Sequence, residues 1–120
     1  MNIRGIIFDF NGVLVDDEPL HFKAFQKVLK EKGLKLSWKE YYENYLAYDD
    51  ENFFLNYFQD QNQSLEPKMI ASLTQSKSQK YFSMVGEKPP IINSTINFLD
   101  QLPPQILLAI ASGAARNEIE

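Results

Sequence analysis

The chain has 120 residues, 44% hydrophobic and 23% charged, which describes an ordinary globular domain large enough for a modest core. A net charge of −4 without a basic stripe argues against nucleic acid as a partner. The absence of cysteine excludes a disulfide framework, thiolate catalysis and thiolate metal sites, and is compatible with a cytoplasmic location.

No signal-peptide pattern precedes the first apolar run, and no run approaches the length of a membrane span. The stretch Arg4 to Asp16 opens with β-branched and aromatic side chains and reads as a buried parallel strand over Ile6 to Phe10. It meets an acid, Asp9, and then Asn11-Gly12, a loop signal. Open α/β sheets place their ligands at the carboxyl ends of such strands. Taken alone, Asp9 reads better as an ordinary turn residue.

The pattern then turns helical. Pro19 suits a first helical position with Asp17 or Glu18 as cap, Phe22, Phe25, Val28 and Leu29 recur at helical spacing, and Gly33 supplies a stop. Ser37-Trp38-Lys39-Glu40 is a capping-box pattern opening a second helix with Tyr41, Tyr42 and Tyr45. A third starts near Asp49-Asp50 and carries Phe53, Phe54, Tyr57 and Phe58; Gln59 to Ser64 reads as a loop. Pro67 opens a fourth, with Met69, Ile70, Leu73, Tyr81 and Phe82 expected on its buried face. The aromatic residues concentrated here read as the core of a small helical bundle rather than a cofactor box.

Gly86 to Pro90 breaks the chain, a helix follows from about Ile92 to Leu102, and Pro103-Pro104 ends it. Gln105 to Ala111 is a second apolar run and reads as a strand, expected over Ile106 to Ala111 and paired in parallel with the first. Ser112-Gly113 follows, offering a hydroxyl and backbone N–H groups ahead of a helical turn, an arrangement suited to phosphate or equally to a plain turn. The fold class predicted is α/β, a partial doubly wound Rossmann-like core over 1–16 and 89–120, with a helical cap inserted over 17–88.

Asp9, Gly12, Leu14 and Asp16 resemble the first motif of the haloacid dehalogenase superfamily, and Ile110-Ala111-Ser112-Gly113 resembles its second. The insert resembles the cap of the β-phosphoglucomutase-like phosphatases, with His21 and Lys77 at the places of a cap histidine and of a lysine that reaches the substrate phosphate. The resemblance implies phosphoryl transfer through an aspartyl-phosphate on Asp9. It implies Mg²⁺ held by Asp9 and the backbone carbonyl of Asn11, and Ser112 with the N–H groups of Gly12 and Gly113 around the phosphoryl oxygens. The substrate implied is a small phosphorylated metabolite, a sugar phosphate above all, sealed from water by cap closure.

Three departures qualify the match. Asn11 stands where the family has its second acid, and an amide has no proton to cycle, although Asp16 or Asp17 could substitute. The cap-loop arginine of the mutases falls at Glu51, which favours a phosphatase. No motif-three lysine or motif-four acids follow the second strand before Glu120, so the chain reads as an N-terminal fragment whose incomplete core would drive self-association. A catalytically silent phosphometabolite-binding protein is the alternative reading.

Overall fold

The structure is a computed structural model, and it describes residues 2–86 and 88–120. Met1 and Glu87, which fall in the expected core segment and in the expected 86–90 break, lie outside the described residues. The chain divides into two compact units, one formed by Met1–Glu18 with Glu87–Glu120 and the other by Pro19–Gly86.

In the first unit, β1 (Gly5–Phe8) pairs in parallel with β2 (Leu107–Ile110), with Gly5 opposite Leu107 and Phe8 opposite Ile110. Both strands are shorter than their apolar runs. β1 stops at Phe8 because the Phe10 carbonyl accepts the N–H groups of Leu14 at 2.9 Å and Val15 at 3.2 Å, curling the chain into a loop. Asp9 therefore lies beyond the strand. β2 starts late because Ile106 N–H closes a turn onto Pro103 O at 3.0 Å.

The strands are not buried as their composition predicts. Side chains alternate across a strand, so Ile6, Phe8, Leu108 and Ile110 share one face by register. There α5 (Asn93–Asp100) sets Phe98 edge-on to Phe8, ring centroids 6.3 Å apart. On the opposite face Ile7 is 71% exposed and Leu107 75%. A single eight-residue helix covers one side of a sheet that needs layers on both. α5 is also shorter than expected, capped at Gln101 before Pro103-Pro104. A final short turn, α6 (Arg116–Ile119), follows the Ser112 loop.

The second unit is helical: α1 (Glu18–Glu31), α2 (Trp38–Asn44), α3 (Asp50–Asp60) and α4 (Pro67–Val85). α1 buries Ala24, Phe25, Val28 and Leu29, one stripe at helical spacing, and Gly33, in the left-handed region at φ 72°, ends the turn after it. Ser37 caps α2 by accepting Glu40 N–H at 3.1 Å, and Asp49 caps α3 by accepting Asn52 N–H at 2.8 Å. These stripes converge on an aromatic core of Phe25, Tyr41, Tyr45, Phe53, Phe54, Tyr57 and Phe58, with Phe25 stacked on Phe53 at 3.8 Å.

The buried phenols need partners. Tyr45 donates to Asp60 and Tyr57 to Lys35 O, each at 2.7 Å.

Three expectations for this unit change. α3 runs on to Asp60, into the stretch predicted to be loop, and ends when Asn62 turns left-handed at φ 58° and Gln63 N–H reaches Phe58 O at 2.8 Å. Met69 and Phe82 are exposed on α4, because its inward stripe is Ile70, Leu73, Lys77 and Tyr81, one position off each. Tyr42 is exposed on α2 for the same reason, Tyr41 and Tyr45 taking the inward positions.

Candidate active site

Parallel pairing puts the carboxyl ends of β1 and β2 at one end of the sheet, and the ladder continues past them through Ala111 N–H to Phe8 O at 2.9 Å. Asp9 is the first residue beyond β1, and Ser112 follows Ala111 beyond β2. Asp9 is exposed, and its Oδ1 accepts Phe10 N–H at 2.8 Å, which orients the carboxylate and leaves Oδ2 open. Ser112 Oγ accepts Ala114 N–H at 3.0 Å, a local turn that keeps the hydroxyl hydrogen available as a donor.

Gly12 has a different part from the one expected. Its N–H donates to Val15 O at 2.7 Å, so that amide is spent inside the loop. Its φ of 78° is what a side-chain-bearing residue would resist, and this lets the chain double back after Asn11. Gly113 sits in the loop after β2, and among the described residues its N–H meets no acceptor.

Asn11 is not a passive stand-in for an acid. Its Nδ2 donates to both carboxylate oxygens of Asp17, at 3.0 and 2.9 Å, and Asp17 is only 1% exposed. A buried carboxylate requires such donors. An acid at position 11 would instead set two carboxylates against each other. Nothing in the sequence pattern marks this pair, since Asp17 reads equally well as a helix cap.

In the helical unit the structure brings His21 and Lys77 together, Lys77 Nζ to His21 Nδ1 at 2.7 Å. An ammonium can only donate, so His21 Nδ1 accepts and its hydrogen lies on Nε2. The Lys77 ammonium also donates to both oxygens of Asp50 at 2.7 and 2.9 Å and lies over the rings of Phe25 and Tyr81, while Tyr81 stacks on His21 at 4.3 Å. The sequence marks Asp50 only as a helix start and not as a partner of Lys77, because an acid in the first turn of a helix looks like an ordinary dipole partner. Glu51 beside it is exposed.

Among the described residues no three or more histidine or acidic side chains cluster to form a metal site. The Asp9 carboxylate and Asn11 backbone carbonyl are nonetheless hard oxygen donors of the kind Mg²⁺ takes, and such sites commonly use one or two carboxylates with water and substrate phosphate. The donor chemistry fits the ion.

The family described as haloacid dehalogenase-like hydrolase matches residues 6–120. The chain belongs to that family. Its fold, an α/β core with a helical insert, is shared by solved structures of the family. CbbY from Rhodobacter sphaeroides in complex with phosphate is 21% identical over 99% of this chain and 55% of its own, with a TM-score of 0.84. A variant of CbbY in complex with xylulose-(1,5)bisphosphate is 22% identical over 95% and 52%, with a TM-score of 0.80. YfnB from Bacillus subtilis, bound to magnesium, is 14% identical over 98% and 56%, with a TM-score of 0.63. The chain thus spans about half the length of these solved structures. No curated protein matches it. No helix among the described residues is long and apolar enough to cross a membrane.

Proposed function

We propose that this chain supplies the nucleophile and a phosphate-holding loop of a phosphoryl hydrolase acting on a small phosphorylated metabolite, a sugar phosphate above all. The observation that carries the reading is the parallel pairing of β1 with β2, which sets Asp9 and Ser112 beyond the same end of one sheet. The complexes of CbbY with phosphate and with a sugar bisphosphate support the substrate class.

The free Asp9 Oδ2 attacks phosphorus, a P–O bond forms to the carboxylate, and the bond to the leaving oxygen breaks. Water then cleaves the aspartyl-phosphate and regenerates Asp9. Ser112 Oγ–H and Gly113 N–H donate to phosphoryl oxygens as charge builds on them. Mg²⁺, held by Asp9 and the Asn11 backbone carbonyl, would offset the repulsion between anionic nucleophile and anionic substrate. Asn11 contributes no proton to either step, so the reading includes slow turnover of esters whose leaving group needs one.

Asp9→Asn is expected to abolish phosphate release, and Ser112→Ala to reduce it by about 10²-fold, the cost of one donor to the developing charge. Phosphate release with Mg²⁺ present measures both, and native turnover in Asp9→Asn would remove Asp9 from the mechanism. A silent phosphometabolite binder is the second reading, favoured by the commitment of the Asn11 carboxamide to Asp17. Saturable binding of inorganic phosphate without turnover of any ester or acyl phosphate would select it.

A further inference from the structure

Asn11-Gly12 is the one place in the chain where asparagine precedes glycine. Such a pair can react with itself. The backbone nitrogen of the glycine attacks the side-chain carbon of the asparagine and closes a five-membered imide, and glycine has no side chain to obstruct the approach. Gly12 is exposed, and the space where its β-carbon would stand is open, with nothing within 4 Å.

Two contacts oppose the reaction. The Gly12 N–H, which must give up its proton before the nitrogen can attack, is held by Val15 O at 2.7 Å. The Asn11 carboxamide, which must turn its carbon toward that nitrogen, is fixed through Nδ2 on both oxygens of Asp17. Asp17 is buried, so its carboxylate cannot follow a swinging side chain, and its charge disfavours the negative oxygen that forms on attack. All four residues belong to the first unit.

We infer that Asn11 is a self-modification site, a deamidation site that Asp17 holds in check and that reacts when the loop opens. A bond forms from the Gly12 nitrogen to Asn11 Cγ, the Cγ–Nδ2 bond breaks, and Nδ2 leaves as ammonia with the proton that Gly12 gave up. Water then opens the imide on either side. Cleavage at Cγ leaves aspartate, and cleavage at the backbone carbonyl leaves isoaspartate, with the main chain running through Cγ. Aspartate sets a carboxylate against Asp17, while isoaspartate lengthens the main chain two residues beyond Asp9, so either product loosens the loop that follows β1. The inference stands independently of the hydrolase reading, and its readout is not phosphate release.

The test ages the full chain at neutral pH in isotopically labelled water, folded or in denaturing urea, and follows the peptide holding Asn11 by tandem mass spectrometry. Aspartate and isoaspartate are expected together, each with one oxygen from water, forming at least ~10-fold more slowly in the folded chain than in urea. Equal rates, aspartate alone, or no conversion in urea each overturn the inference. In folded Asp17→Ala the conversion is expected to rise by ~10-fold or more, the effect of losing hydrogen bonds to a charged group. Asp17→Asn keeps one acceptor oxygen and should rise less. A native rate in either folded variant refutes the role of Asp17. The native chain supplies a measurement that needs no variant: below the melting midpoint, urea should raise Gly12 amide exchange and Asn11 conversion in proportion, because both wait on the same opening. Conversion that does not follow Gly12 exchange also overturns the inference.

Discussion

Asn11 and Asp17 cannot be changed independently. Asn11→Asp alone would place a second carboxylate against a buried one where two hydrogen bonds now stand, so the variant is expected to melt earlier and gain little activity. Asn11→Asp with Asp17→Asn reverses the pair and keeps its hydrogen bonding. It is expected to recover stability to within about 1 kcal/mol and, with a proton donor restored, to raise hydrolysis of unactivated phosphate esters by ~10²-fold or more. Thermal melting and phosphate release decide the matter, and an acyl phosphate, whose leaving group departs as a stable anion, should show little gain.

Tyr45 and Tyr57 provide a pH dependence. Burial, followed for Tyr45 by the hydrogen bond and charge of Asp60 and for Tyr57 by the charge of Glu40, pushes both phenols above the ordinary value of 10.0. The fold keeps these protons at a pH where the unfolded chain releases them, so the unfolded state binds fewer and stability falls as pH rises. The stability is fully present below the unfolded value and is lost as pH climbs through the raised folded values. Urea midpoints should decline above about pH 10 in the native chain and decline less in Tyr45→Phe.

At the scale of the element, capping decides where the short helices begin. Asp49 accepts both the backbone N–H and the side-chain Nδ2 of Asn52, at 2.8 and 3.1 Å, and α3 carries four of the core aromatics. Asp49→Ala is expected to cost about 1 kcal/mol, read as a lowered denaturant midpoint with unchanged slope. Phe53→Ala, at the centre of the same helix, is expected to cost about 3–5 kcal/mol, because Phe25, Tyr45, Phe54 and Tyr57 all pack their rings on it. A loss from Phe53→Ala no larger than that of the cap would show that the bundle collapses into the cavity.

Across the whole molecule the two units are differently provided for. The helical unit encloses an aromatic core, while the sheet presents Ile7 and Leu107 to solvent on one face and half-exposed Leu108 and Ile110 on the other. Apolar strands left open in this way invite association. The chain is expected to sediment as oligomers while keeping a helical circular-dichroism spectrum. Ile7→Lys with Leu107→Lys should shift it toward the monomer, and a native chain that sediments as a monomer at every concentration would contradict this.

The positions of the helices and of both strands were legible in the sequence because their signals are local. Ser37 and Asp49 cap, Pro67 opens a helix, Gly33 stops one, and aromatic residues recur at helical spacing within a few turns. The family was legible too, since its two motifs are contiguous strings at the strand ends. What those strings could not carry was partnership. Lys77 finds Asp50 and His21 at separations of 27 and 56 residues, which no periodicity encodes, and a lysine in an apolar stripe is tolerable only when both acceptors arrive. The occupation of the Gly12 amide by Val15 and of Asn11 by Asp17 likewise depended on how the loop closed. Strand burial was the other tertiary decision: composition reports that Ile7 and Leu107 suit an interior, but only the packing of neighbouring layers determines whether an interior surrounds them.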